Sequence, residues 1–397
     1  MSAHSVAVLG VGMHPWGKWG DDFVNYGIEA AIAALADAEV EWNDIPFVAG
    51  GNTIRNGYPG FVAGATFVHA LGLNGARVSS SYAGCATGVT ALESARTRIL
   101  AGLCDVALVI GADTTPKGFL APNPGERWND PDWVRFRLIG ATNPTYFALD
   151  ARRRMDIYGA TARDFARVKV KNARHGLHNP NARYRKEVTE EEVLASPMVA
   201  NPLHLLDICA TSDGAAAVVL SSMEYAKRKG VSNPVQLRAI STIMPQFPNP
   251  VLELPNVASD SVAAVPAPDH GFLESITLAC YEEAGIGPED LDVVEVYDVT
   301  TAMELDWYEH IGLCAPGEAE RLLNDGDTTL GGRIPVNPSG GLACFGEAVP
   351  AQALAQVCEL TWQLRGQATG RQVEHASAGI TANKGLFSHG SSVLITR

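Results

Sequence analysis

SSSYAGCATGVTALESARTRILAG, residues 79–102, is the stretch whose reading decides the fold. It places Cys85 where the pattern of the chain changes. Residues 76–80, Ala-Arg-Val-Ser-Ser, read as a short strand. After the cysteine, Val89, Leu92, Ile99 and Leu100 recur at helical spacing, with Glu93, Arg96 and Arg98 between them. Gly84 and Gly88 bracket the cysteine and relax the backbone at the turn. A cysteine at a helix N-terminus meets free N–H groups and the positive end of the dipole, and both favour a nucleophilic thiolate. A small buried apolar cysteine is the plainer alternative.

Working outward from this unit, strands and helices alternate. Val6–Gly10 reads as a strand, and residues 23–38 as a helix with an apolar stripe through Ile28, Ile32 and Leu35. Ile45–Ala49 reads as a strand, 62–71 as a helix and Asp105–Ala112 as a buried strand. This order predicts a mostly parallel sheet with helices on its faces. Residues 113–200 change character and read as an inserted loop region. Within it, FLAPNPGERWNDPDWVRFRL (119–138) is irregular. Residues 148–176 read as two helices broken near Gly159, the second capped by Thr161. Basic residues gather here: Arg152, Arg153, Arg154, Arg167, Lys169, Lys171, Arg174, Arg183, Arg185 and Lys186. They form either a solvated helix face or a landing place for an anionic group such as a phosphate.

Strands follow at 216–220 and 235–241, then a Pro-rich crossing at 244–269. The early order then returns. ITLACYEEAGIGPEDLDVVEVYDV (276–299) repeats the order of residues 28–52: helix, Ala/Gly turn, acidic turn, apolar strand. NPSGGLACFGEAVPAQALAQVCELTWQLRG (337–366) takes the place of the cysteine stretch, again a Gly-rich turn feeding a long helix. A duplicated α/β half explains this, with residues 1–242 as the first half and 243–397 as the second. The expectation is two halves with parallel central sheets stacked around shared helices.

Composition narrows the function. A chain of 397 residues with 46% hydrophobic and 19% charged residues builds a core. No apolar run is long enough to span a membrane, and the first residues lack a signal-peptide pattern. Seven cysteines without close pairing argue against a disulfide framework and fit a reducing cytoplasm. No His/Cys spacing suits a metal. A net charge of −14 disfavours nucleic acid as a partner.

CATG at 85–88, TSDGAA at 211–216, NPSGG at 337–341 and WQLRG at 362–366 resemble the thiolase superfamily. More specifically, with FALDARRRMDIYG (147–159) and NPNARYRKEVTEEEVLASPMVANPLHLLD (179–207), they are similar to the thiolase domain of sterol carrier protein x and its bacterial lipid-transfer-protein relatives. The resemblance covers nearly the whole chain. It implies a five-layered αβαβα fold made of two duplicated halves with an inserted loop region.

A thiolase of this kind uses a Cys nucleophile, a His in the GHP segment, a His in an HDCF-like motif and a further proton-transfer group. Cys85 is present. Tyr297-Asp298-Val299-Thr300 stands where HDCF is expected, and Gly346-Glu347-Ala348 where GHP is expected. Both histidines are missing. An imidazole would take and return the thiol proton near neutrality; a carboxylate in its place repels the thiolate it would make. Tyr297 donates to an oxyanion but, with a reference pKa of about 10, is a poor base. A retro-aldol needs no acyl-enzyme, only a proton acceptor for a β-hydroxyl and donors for the departing enolate.

The Tyr-Asp start resembles the lipid-transfer-protein aldolases of bacterial steroid side-chain degradation. That resemblance implies cleavage of a β-hydroxyacyl-CoA steroid into a ketone and a short acyl-CoA. It implies no cofactor beyond the CoA thioester substrate, a homodimer formed through the strand before Cys85, and a small zinc-ribbon/OB-fold partner. Many relatives carry a second tyrosine near NPSGG, where this chain has Ala343-Cys344-Phe345-Gly346-Glu347; Tyr82 and Tyr146 are the other tyrosines that could substitute. The candidate catalytic residues are Tyr297, Glu347, Cys85 and His389, the last in a loop that lies near the acyl site in the family. The candidate substrate-binding residues are Gly340, Gly341, Arg153 and Lys169. An acyltransferase using Cys85, and a non-catalytic subunit binding lipids or acyl-CoA, are the alternatives.

Overall fold

The computed structural model describes residues 6–51, 63–115, 128–129, 134, 143–246, 270–385 and 389–397. In chain order these residues form β1 (Val6–Gly17), α1 (Phe23–Ala38), β2 (Phe47–Gly51), α2 (Ala63–Leu71), β3 (Arg77–Ser81), α3 (Thr87–Leu100) and β4 (Val106–Thr114). The inserted region supplies α4 (Asn143–Tyr158), α5 (Ala162–Gly176), α6 (Glu190–Ala195) and a small hairpin of β5 (Met198–Ala200) and β6 (Leu203–His204). Then come β7 (Asp213–Ser221), α7 (Met223–Arg228), β8 (Val235–Ile243), α8 (Phe272–Ala284), β9 (Val293–Val296), α9 (Thr301–His310) and α10 (Ala319–Asn324). The chain closes with α11 (Gly341–Phe345), α12 (Gln352–Arg365), β10 (Ala378–Gly385) and β11 (His389–Thr396).

Nine strands form one ladder, β3-β2-β4-β7-β1-β8-β11-β10-β9, and a parallel bridge from Val336 to Val294 extends it beyond β9. Read outward from the β1–β8 contact, the two arms repeat each other. The first arm is β1, β7, β4, β2, β3; the second is β8, β11, β10, β9, then Val336. The pairing senses repeat as well: β2–β3, β2–β4 and β9–β10 are parallel, and the rest of the ladder is antiparallel.

This corrects the expectation of parallel sheets: the sheet is mixed. The short connection from Gly385 to His389 forces β10 and β11 to run antiparallel. The two arms are also continuous rather than separate, through the pairs Val6–Leu237, Ala7–Gln236 and Val8–Val235. Because β8 plays the part of β1 in the second arm, we propose dividing the chain before Val235 rather than after residue 242.

The helices α3 and α12 lie between the arms. α12 packs on β7, β1 and β4 of one arm and on β9, β10 and β11 of the other; α3 reaches β4, β2, β8 and β11. Strand alternation separates the cores. Ala107 and Val109 of β4 face the central helices, whereas Val106, Leu108 and Ile110 face α1 and α2. A third core gathers α8 and α9 with α4 and α5 on the far side. Strands covered on both faces read as unbroken apolar runs, which is how β4 and β7 appear in the sequence.

Helix α1 has the predicted bounds, and of its predicted stripe Leu35 is buried and Ile28 half-buried, but Ile32 is 56% exposed, and Ala30, Ala31, Ala34 and Ala38 make most of the buried face. The reason is close approach: a Cβ on Gly12 would stand 2.3 Å from the Ala30 carbonyl oxygen and 2.4 Å from the Ala34 nitrogen. Small residues let helix and strand backbones meet. Gly88 likewise lies inside α3 and serves contact rather than a turn; a Cβ there would lie 3.0 Å from the Pro350 carbonyl. In the insertion, α4 and α5 break at Gly159 and Thr161 caps α5 with a reciprocal capping box to Asp164, as the sequence predicts. Most of 119–138 and of the Pro-rich crossing lies outside the described residues.

Candidate active site

Three segments distant in sequence converge at Cys85. The turn after β3 carries the cysteine: Gly84 adopts φ +56°, and the Thr87 hydroxyl accepts from Ala83 N at 2.8 Å and donates to the Gly84 carbonyl at 2.6 Å. Tyr297 directly follows β9; its N–H donates to the Ala382 carbonyl, and its carbonyl accepts from Trp307 Nε1 at 3.0 Å. Glu347 follows α11 through Gly346 at φ +75°. Its backbone is clamped on both sides, Glu347 N donating to the Ala210 carbonyl and Ser212 N to the Glu347 carbonyl.

The side chains close a triangle. Cys85 Sγ donates to Glu347 Oε1 at 2.9 Å. Tyr297 Oη donates to the same oxygen at 2.9 Å and lies 3.2 Å from the sulfur. All three residues are buried, Glu347 with 1% of its surface exposed. Burial first, then the charges of Cys85, Glu347 and Cys209, hold the Tyr297 phenol well above its usual range. It is therefore a neutral hydrogen-bond donor. Cys209 packs into the same core; burial and the charges of Glu347 and Asp298 hold its thiol well above the usual range as well.

The sulfur of Cys85 has nearer partners than the helix end. Cys85 precedes the α3 cap, Ala86, and its sulfur faces a carboxylate and a phenol.

The other predicted residues fall in different places. His389 opens β11, half-buried. Its hairpin lies against the cysteine turn, since a Cβ on Gly385 would come within 3.0 Å of Cys85 N, but His389 is no part of the triangle. Gly340 (φ +100°) caps α11 and Gly341 (φ +59°) opens it, and both are buried. A Cβ on Gly340 would meet Gly176 at 2.7 Å, and one on Gly341 would meet the Asp298 carboxylate at 2.5 Å. Lys169 is buried and donates to the Ala343 carbonyl. Arg153 is exposed on α4.

The basic cluster thus divides by helical phase. Arg154 binds Asp306, Glu309 and Glu320, and Lys171 pairs with Glu304 at 2.5 Å. Of the two candidate substitute tyrosines, Tyr82 is 49% exposed. Tyr146 is buried in the core that holds Cys85 and Tyr297, with Lys384 Nζ at 3.4 Å from its hydroxyl.

Sequence reasoning missed the polar layer behind the triangle. Asp298, Asn172, Glu304, Asn337 and Tyr308 are buried and mutually hydrogen-bonded. One signal was present: Asn172 falls on the buried face of α5 with Phe165 and Val168. A small cavity of about 20 Å³ touches α11 and is lined by Trp16, Glu295, Leu342, Phe345, Gln352 and Glu359, but by none of the triangle. Among the described residues no group of three or more His, Cys, Asp or Glu could hold a metal.

Residues 18–224 match the thiolase N-terminal domain, and residues 270–397 match a thiolase C-terminal domain-like family. This chain belongs to the thiolase superfamily. Within it the chain is sterol carrier protein 2 thiolase-like. It is 32% identical to sterol carrier protein 2 of Rattus norvegicus, over 98% of this chain and 71% of that one. It is 34% identical to an acetyl-CoA acetyltransferase of Methanothermobacter thermautotrophicus, over 96% of each. Among solved structures, an Ltp2–ChsH2(DUF35) aldolase superposes with a TM-score of 0.80 at 25% identity, covering 100% of this chain and 98% of that one. The triangle of Cys85, Tyr297 and Glu347 contains no histidine.

Proposed function

We propose that this thiolase-fold protein is a carbon–carbon lyase that cleaves a β-hydroxyacyl-CoA by retro-aldol. The observation that carries the reading is the convergence of Tyr297 and Cys85 on one carboxylate oxygen of Glu347. The similarity to a solved aldolase supports it. The β-hydroxyl passes its proton to Tyr297 Oη while the phenol passes its own to Glu347. The Cα–Cβ bond breaks and the β-oxygen becomes a ketone carbonyl. The bonding pair goes to the acyl-CoA enolate, which takes a proton at carbon from the Glu347 carboxyl. Protons balance, and no cofactor beyond the CoA thioester is required.

The proposed substrate is a steroid side-chain CoA thioester, and the products are a ketone and a short acyl-CoA. Arg153 stands exposed on α4 for an anionic part of the ligand; Lys169, Gly340 and Gly341 are spent on α11 itself. We also propose a cytoplasmic homodimer formed through β3, whose outer edge ends the ladder and whose Val78 is 41% exposed. A small zinc-ribbon/OB-fold partner is proposed because the similar aldolase is named for a complex with a DUF35 protein. Among the described residues no helix is long and apolar enough to cross a membrane.

A second reading keeps Cys85 as an acyl-transferring nucleophile with Glu347 as its base. The 2.9 Å contact of sulfur and carboxylate and the likeness to an acetyltransferase favour it. Product analysis separates the two. Incubation with a panel of β-hydroxyacyl-CoA steroids should yield a ketone and a shorter acyl-CoA in equal amounts. Acyl transfer from a 3-ketoacyl-CoA to free CoA, with the β-hydroxy compounds untouched, would establish the second reading instead.

A further inference from the structure

Tyr297 and Glu347 lie on separate segments, and one side chain holds those segments together. We propose that Asp298 is a positioning residue that sets Glu347 in register against the Tyr297 hydroxyl. For its effect on turnover the proposal rests on the retro-aldol reading; for its effect on Cys85 it rests on geometry alone.

Asp298 follows Tyr297 in the chain and is 2% exposed. Its Oδ1 accepts from Leu342 N at 2.7 Å, and its Oδ2 from Ala343 N at 3.1 Å. These N–H groups belong to the first turn of α11, and the chain leaves that short helix through Gly346 into Glu347. Without Asp298 both N–H groups would be buried and unsatisfied. The carboxylate also fills the space over Gly341, where any Cβ would collide with it.

The far side of Asp298 is braced. Asn172 Nδ2 donates to Asp298 Oδ2 at 3.1 Å and to Glu304 Oε2 at 2.6 Å. Glu304 accepts from Tyr308 Oη at 2.6 Å and Asn337 Nδ2 at 2.8 Å, and pairs with Lys171. Asn337 Oδ1 in turn accepts from the N–H of Val296 at 2.8 Å; Val296 is the last residue of the strand that leads into Tyr297. The network therefore starts at Asp298, just after β9, and returns to β9 at Val296, and α11 hangs from its Asp298 end. Burial and the Glu304 charge push Asp298 up to about 8, against the pull of the Leu342 and Ala343 N–H groups.

Other contacts keep α11 in place when Asp298 is removed. Lys169 holds the Ala343 carbonyl, and Ser212 Oγ donates to the Phe345 carbonyl at 2.5 Å. The predicted result of removal is a shift of the helix, not its loss. Displacing a reacting group by about 1 Å costs about 10²-fold in turnover.

The test compares Asp298→Ala, Asp298→Asn and Asn172→Ala with the unmodified protein. Three quantities are read: Tm, kcat and KM on a cleaved β-hydroxyacyl-CoA, and the rate of iodoacetamide labelling of Cys85. Labelling is followed by peptide mapping, because Cys104 and Cys314 are also partly accessible. Asp298→Ala should lose about 10²-fold in kcat with little change in KM, and its Cys85 should label at an altered rate. Asp298→Asn keeps one acceptor and should fall between. Asn172→Ala should act in the same direction more weakly, and it decides the matter if Asp298→Ala does not fold. A folded variant with unchanged kcat and unchanged labelling overturns the proposal, even if its Tm is lower. If the unmodified protein cleaves no β-hydroxyacyl-CoA, the retro-aldol reading fails by itself. The labelling rates then decide for Asp298: altered rates sustain it and unaltered rates overturn it.

Discussion

Tyr297 donates its phenolic hydrogen to Glu347 across 2.9 Å, although the two residues are 50 positions apart in the chain. The same carboxylate oxygen takes the Cys85 thiol from 262 positions away. A carboxylate with two acidic hydrogens aimed at it is prepared to receive a proton, and the phenol is oriented before any substrate arrives.

Replacing Tyr297 by Phe keeps the ring in its core and removes the hydroxyl. Cleavage should fall by about 10²–10³ in kcat, whereas Cys85→Ala should keep most of it, since no acyl-enzyme forms. Steady-state cleavage by both variants, with circular dichroism to check folding, measures this. The opposite pattern would return the chain to acyl transfer.

Glu347→Gln preserves shape and the acceptor oxygen but cannot take up a proton. Its kcat should fall by about 10²–10⁴ with KM nearly unchanged. An equal rise in KM at constant kcat would show that Glu347 binds substrate rather than moving protons.

His175 carries a pH signature. Its Nε2 accepts from Leu330 N at 3.0 Å, so Nδ1 bears the hydrogen and donates to the Asn337 carbonyl at 3.0 Å. Burial, then the Lys171 charge, pushes this histidine down to about 3. The folded form stays neutral while the unfolded chain binds a proton below about 6.5. Its contribution is therefore present above pH 6.5 and is lost as pH falls towards 3, at up to about 1.4 kcal/mol per pH unit. His175→Gln offers the same donor and acceptor without the titration. Urea midpoints between pH 7 and 4 should decline less steeply in the variant; parallel declines would contradict this.

Gly12→Ala places a methyl group 2.3 Å from the Ala30 carbonyl oxygen. Backbone cannot yield as a side chain tip can, so the substitution should cost about 1–3 kcal/mol, towards the upper end. Denaturant unfolding of the variant at constant m-value is the measurement. An unchanged midpoint would mean that α1 stands off β1 further than this packing implies.

The proposed homodimer through β3 is tested by its mass. Light scattering at low concentration should return the mass of two subunits, and the mass of one would exclude the β3 dimer.

Much of the fold was legible because its causes are local or periodic. The bounds of α1, the break at Gly159 and the Thr161 cap follow from spacing and capping chemistry within a few residues. The duplication was legible in the order of elements, since each arm repeats one rule of strand and helix. The buried face of α1 was legible only at Leu35. Ile28 and Ile32 are the stronger hydrophobes, and only the backbone contact with Gly10 and Gly12 makes alanine the residue that fits.

For the site, the chain alone supplied the residue types: a cysteine at 85, a tyrosine at 297 and a glutamate at 347. What those residues do to one another was decided by the tertiary structure. Whether Cys85 meets a helix dipole or a carboxylate depends on where residue 347 arrives, and Asp298, Asn172 and Glu304 hold α11 there. Lys171 reads as part of a basic surface until the fold buries it against Glu304. Electrostatic and hydrogen-bond energies depend on distances of a few ångströms between segments far apart in the chain. Residue type and local spacing carry no record of those distances.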